Sequence, residues 1–187
     1  MTKKDFEKFV QDQQAIKEAT VPPIDIDWKA WWLEKLEDLY LQIESFLREY
    51  KDSGKIEINY SNLELNEENI GQYIAKKMII TIGRNEIIFQ PIGTFLFGAR
   101  GRVDIKGPFG QSRLLLVNKE FKRATDMIQV EIKIAGKETQ PQKKETKPFQ
   151  DIKWAWKFVT TPPEMKFIDL TSEEFYSIIM ALSNAQS

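Results

Sequence analysis

Apolar side chains in this chain recur every three or four residues up to Gly54 and every second residue beyond it. That change of period divides the chain into a helical part and a sheet. Before the change, Asp27 is placed as an N-cap, and Trp28, Trp32, Leu36, Leu39, Ile43, Phe46, Leu47 and Tyr50 form one helical stripe. Trp31, Leu33 and Leu41 widen it, which predicts a helix buried on more than one side, and Gly54 suits the C′ position that ends it. Ahead of this helix, Thr2 can cap a shorter one with Phe6, Phe9, Val10 and Ile16 on one side, broken by Pro22-Pro23.

Beyond Gly54 the alternation predicts strands over 55–60, 75–82, 86–92, 95–106, 111–118, 127–134 and 152–159, with a short helical turn over 66–73. Runs joined by short turns without intervening helices imply an antiparallel meander. Apolar residues of both parities in 78–82 and 87–89 predict a sheet covered on both faces there. Thr171 with Glu174 makes a capping box for a last helix over 171–184, with Leu170 as staple and Phe175, Ile178, Ile179 and Leu182 on its apolar face. The expected fold is therefore a single α+β domain over 1–187. It has two helices within 1–54, an antiparallel meander or open barrel of six to eight strands over 55–159, and one C-terminal helix. Residues 138–150 hold one large apolar side chain, two prolines and charges of both signs, which predicts a mobile loop.

With 42% hydrophobic and 29% charged residues among 187, the chain can bury one sizeable core. No apolar run approaches the roughly 20 residues of a bilayer span, and the charged first residues lack the apolar stretch of a secretory signal. These features place the protein in the cytoplasm. The chain contains no histidine and no cysteine. Imidazole proton shuttles, thiolate nucleophiles and the usual zinc sites are thereby excluded, and neither a metal nor an organic cofactor is expected.

Charge is segregated along the chain. Residues 1–74 hold 9 Lys/Arg and 16 Asp/Glu, residues 75–137 hold 12 and 5, and residues 138–187 hold 6 and 7. The acidic helices can neutralise the basic middle within the fold, or the basic middle can meet an acidic partner. The stretch 95–118 is where this choice falls. A four-residue loop over 107–110 pairs Val103 with Leu114 on the inner face. On the outer face it sets Asp104 against Arg113, Arg102 against Leu115 and Arg100 against Val117. Arg100, Arg102 and Lys106 then form a basic stripe beside exposed Leu115 and Val117, a candidate binding surface. Gly98 and Gly101 fit a bend in this long strand, and no phosphate-cradling glycine motif is present.

The one enzymatic pattern is Asp104 followed downstream by Glu131-Ile132-Lys133, which in principle binds Mg²⁺ for phosphodiester cleavage. Acid-x-Lys occurs eight times in the chain, so the pattern carries little information. The balance points to a non-catalytic protein-interaction module, such as an adaptor, inhibitor or immunity-type protein. The alternative is a nucleic-acid binder that sets Arg100, Arg102, Lys106, Lys119, Lys122 and Arg123 on phosphates. A pI of about 5.8 and few aromatics beside those residues in sequence weigh against it.

Overall fold

Asp27 starts the long helix as its spacing requires: its side chain accepts a hydrogen bond from the Ala30 N–H at 2.9 Å. The computed structural model describes residue 7 and residues 26–68, 70–94, 99–127, 149–161 and 165–184. The expected short helix after Thr2, the segment 95–98 with Gly98, and residues 128–148 lie outside the described residues. Helix α1 runs Trp28–Asp52 and ends in a Schellman turn, with Gly54 N–H bonded to the Lys51 carbonyl and Lys55 N–H to that of Tyr50. Gly54 is left-handed there, at φ 69°.

Seven antiparallel strands follow in meander order, and the sheet they form is open. They are β1 Ile56–Glu67, β2 Gly71–Ile82, β3 Asn85–Gly93, β4 Arg102–Gly107, β5 Gly110–Asn118, β6 Trp154–Val159 and β7 Phe167–Asp169. The final helix α2, Ser172–Ser183, is capped by Thr171 Oγ1, which accepts from the Glu174 N–H at 3.3 Å. Both helices share one face of the sheet, and one core cluster draws on all of these elements. Phe175 of α2 lies between Phe46 of α1 and Phe89 of β3, with ring centroids 5.6 and 6.3 Å away. Tyr176 Oη donates to the Phe46 carbonyl at 2.6 Å and Gln42 Nε2 to the Leu170 carbonyl at 3.0 Å, so α1 is gripped from the sheet and from α2.

Several expectations are corrected. Residues 66–73 form no helical turn: β1 and β2 pair without a break from Ile56↔Ile82 to Glu67↔Gly71, because Gly71, at φ 83°, supplies a tight hairpin. Of the long strand expected over 95–106, β4 begins at Arg102, residues 99–101 lie outside it, and 95–98 are not among the described residues. Met127 closes a 3₁₀ turn, Ala124–Met127, and the remainder of the strand expected over 127–134 lies outside the described residues, while β7 had no alternating run long enough to announce it. Leu41 is 58% exposed and does not extend the core stripe, whereas Tyr40 is buried beside it. The second face of the sheet is only half-covered at Ile79 and Ile88.

The β1–β2 ribbon extends past β3 and rolls as it passes α1. Burial falls on the even positions Ile56, Ile58, Met78 and Ile80 at one end, and on the odd positions Leu63, Leu65, Tyr73 and Ala75 at the other, although pairing is unbroken. A rolled ribbon turns its opposite side to the core along its length. Four hydrogen bonds fix the roll. Tyr40 Oη donates to the Lys76 carbonyl at 2.6 Å, and Glu67 at the ribbon tip accepts from Thr94 N–H at 2.7 Å, Thr94 Oγ1 at 2.9 Å and Tyr73 Oη. The bulge between Pro91 and Gly93 aims Thr94 at that carboxylate.

Gly101 sets how closely α1 approaches. A β-carbon there would stand 2.3 Å from the Trp32 ring, which is fully buried. Gly101→Ala is expected to cost about 1–3 kcal/mol in chemical denaturation, the range of overpacked cores; no measurable loss would place the Trp32 ring elsewhere. Burial, joined by Glu37 near Tyr40, Glu44 near Tyr60 and Glu67 near Tyr73, raises the pKa of all three phenols above the ordinary tyrosine value. Folded values above unfolded ones mean that their contribution to stability is intact below about pH 10 and is lost as pH rises beyond it. An absorbance titration should therefore show these three phenolates appearing together with unfolding; three early, independent ionisations in the folded protein would contradict the burial.

Candidate functional site

The β4–β5 hairpin has the expected register, with Val103 opposite Leu114, Asp104 opposite Arg113 and Arg102 opposite Leu115. Its charges are arranged differently. The Arg102 guanidinium forks onto Asp104 two residues along the same strand, through Nε at 2.6 Å and a terminal nitrogen at 2.8 Å, while Arg113 Nε lies 3.5 Å from that carboxylate. Arg102 is thus satisfied within its own strand rather than by an acidic helix, and α1 packs on the opposite face. Lys106 is exposed, with Nζ 3.5 Å from Gln90 Oε1. Lys119, Lys122 and Arg123 are exposed.

Leu115 and Val117 are not exposed: they are 7% and 0% accessible and form a second cluster with Ala99 and Phe167, flanked by Phe121, Met127 and Val159. The clamp that holds this cover is Lys157, 3% exposed on β6. Its ammonium donates to the Lys119 and Phe121 carbonyls at 2.7 and 2.9 Å and pairs with Asp169 at 2.9 Å. Four successive apolar residues, Leu114 to Val117, carried the signal for two-sided cover at this point of the sheet.

Arg100 leaves the stripe altogether. Its guanidinium lies over the ring of Trp28 at 5.5 Å and that of Phe149 at 6.0 Å. Partial burial lowers its pKa from the ordinary value. No hydrogen-bond acceptor or carboxylate meets this guanidinium among the described residues. The aromatic group around it is built by two periodicities: Trp28 and Trp31 lie one turn apart on α1, and Trp154 and Trp156 alternate on β6. Phe149 joins them, its centroid 4.8 Å from Trp28, 5.4 Å from Trp31 and 5.2 Å from Trp154. The single large apolar residue of 138–150 is therefore an anchor, and Phe149–Asp151 is a 3₁₀ turn.

Trp154 continues this surface into a cleft of about 460 Å³ between α1 and β5 to β7. Its floor includes Trp154, Trp156 and Leu116, and its rim carries Lys35, Asp38, Lys119 and Asp169. Trp156 Nε1 donates to the Lys35 carbonyl at 3.0 Å and Lys35 Nζ pairs with Asp38 at 2.7 Å, so the rim is pre-organised. Sequence alone did not bring Arg100 to these rings, because Phe149 is 49 positions from it and Trp28 is 72.

For chemistry, Asp104 is engaged by two arginines, and Glu131 and Lys133 lie outside the described residues. Among the described residues no three carboxylates converge to hold a metal, and no helix is long and apolar enough to cross a membrane. Comparison with protein-family models, curated proteins and solved structures finds no match to this chain.

Lys157→Met conserves volume but leaves two carbonyls without their donor. It is expected to destabilise by about 1–3 kcal/mol and to speed amide exchange around Phe121. An unchanged transition would show that the cover over Leu115 and Val117 holds without the lysine.

Proposed function

We propose that this protein is a non-catalytic protein-interaction module, and that its contact surface is the tryptophan-lined cleft together with Arg100. The observation that carries the reading is a half-buried guanidinium, fixed between two aromatic rings and lacking an acid among the described residues, beside that cleft. Tryptophan and arginine dominate the energetic centres of protein interfaces, and a stacked arginine forfeits little entropy when it takes a carboxylate. The favoured partner is a protein that presents an acidic side chain next to an apolar one. The lack of cysteine fits work in the cytoplasm.

Single-stranded nucleic acid is the second reading, because the fold brings aromatics to a cation that has none beside it in sequence. Base stacking needs free ring faces. Here the rings of Trp28, Trp31 and Phe149 pack edge-on against one another. The protein reading is better supported. The candidates on the sheet face opposite α1, Arg102, Leu115 and Val117, have internal partners, which leaves Lys106 alone there.

The test compares Arg100→Glu with Lys106→Glu as bait for native partners, with recovery quantified by mass spectrometry. Arg100→Glu should cut recovery of the bound protein at least about tenfold with a thermal transition close to that of the parent, while Lys106→Glu leaves recovery unchanged. Loss with Lys106→Glu alone would move the site to the sheet face opposite α1. Binding of an oligo-dT probe that weakens steeply with salt would support the nucleic-acid reading instead.

A further inference from the structure

Strand β1 is twelve residues long, runs without a bulge, and has a neighbour on one side only among the described residues. Edge strands are ordinarily protected by lysine, proline, a bulge or shortness. β1 contains no lysine, arginine or proline. It instead carries a row of polar side chains on the solvent side, Glu57, Asn59, Asn62, Glu64 and Asn66, all exposed. On the side toward α1 a row of Ile58, Tyr60, Leu63 and Leu65 is incompletely covered, Tyr60 being 40% accessible, and Leu41 of α1 stands 58% exposed.

The roll of the ribbon decides what can add to this edge. Closed two-fold pairing of two copies preserves the side of the sheet on which each residue lies, so only registers centred on a residue facing itself are available. Centred on Ser61, such pairing sets Ile58 against Glu64 and Asn59 against Leu63. Centred on Asn62 it sets Ile58 against Asn66 and Asn59 against Leu65, and centred on Tyr60 it sets Ile58 against Asn62 and Glu57 against Leu63. Because burial switches parity between Tyr60 and Ser61, each of these registers faces apolar side chains with polar ones. The register centred on Glu64 pairs Leu63 with Leu65 but spans only 61–67 and sets Glu64 against itself, so a second copy is a poor occupant.

A strand of different sequence is free of that constraint. Of the acids near the edge, Glu44 is engaged by Tyr60 and Lys51, and Glu67 by Tyr73 and Thr94. Glu57 and Glu64 on β1 and Glu37 on the adjoining helix remain without a partner among the described residues. The nearest cations on the sheet, Lys76 and Lys77, lie on β2, about one strand spacing of 5 Å further from the edge. We infer that β1 is a β-augmentation site for an extended segment of another protein in which basic and aliphatic residues alternate with one shift of phase, opposite Ser61, where burial on β1 changes parity. The basic side chains face Glu57 and Glu64, and the aliphatic ones cover Ile58, Tyr60, Leu63 and Leu65. This site lies on the opposite edge of the sheet from β7 and is independent of the cleft.

The probes are two blocked nonapeptides, Val-Lys-Val-Lys-Ser-Val-Lys-Val-Lys and the same peptide with glutamate at every lysine, added to the full chain while amide exchange and titration are followed by NMR. In the free protein alternate β1 amides should exchange fast. The lysine peptide should protect them and bind about tenfold tighter than the glutamate peptide, and Glu57→Lys with Glu64→Lys, both at exposed positions, should erase or reverse that preference. Equal protection by both peptides would overturn the charge assignment, and no protection by either would overturn the site. Slow exchange of the whole edge in the free chain would show that another part of the molecule already covers it. Protection that grows with protein concentration alone would show that a second copy does. Either result would overturn the inference.

Discussion

The approach of Trp32 to the backbone of Gly101 organises the rest of the molecule. The ring is fully buried and leaves no room for a β-carbon on the strand that faces it. Because that contact brings α1 down onto the sheet, Leu36, Leu39, Ile43 and Leu47 reach the core in turn, and the ribbon of β1 and β2 must roll to follow the helix. The same descent places the first turn of α1 at the end of the sheet, where Trp28 and Trp31 meet Phe149 and Trp154. The arginine clamp is thus a consequence of core packing and needs no element of its own.

Much of this was legible in the sequence and some was not. Asp27, Gly54 and Thr171 marked the helix ends because capping is local chemistry, readable within a few residues. The hairpin register followed from the turn at 107–110 for the same reason. Asp104 pairs with Arg113, which faces it, at 3.5 Å as the register implies, and Arg102 on the same strand adds a closer planar fork. What failed depended on distant partners. Leu115 and Val117 read as surface because their cover comes from Phe121, Met127 and the three-residue strand β7, none of which carries a periodic signal. Lys157 was invisible as a structural residue, since only the fold shows that its ammonium ties down two carbonyls of a passing segment.

Segregation of charge along the chain suggested that the acidic helix would lie on the basic strands and neutralise them. Geometry prevents it. An amphipathic helix turns its charged side away from the sheet it packs on, so Glu34, Glu37, Asp38 and Glu49 of α1 face solvent. Lys106, Arg113, Lys119, Lys122 and Arg123 are exposed on β4, β5 and the segment that follows them. The exposed acids of α1 and the exposed cations Lys106 and Arg113 therefore lie on opposite faces of the sheet. Such a separation turns an approaching charged partner before contact and raises productive encounter more than it raises affinity. On the two proposed contacts it would also sort partners by surface: a basic strand would be drawn to the edge formed by β1 and flanked by α1, while Arg100, whose neighbours are rings rather than ions, would discriminate at short range. Salt would then slow association at the first surface and leave dissociation from the second largely unchanged.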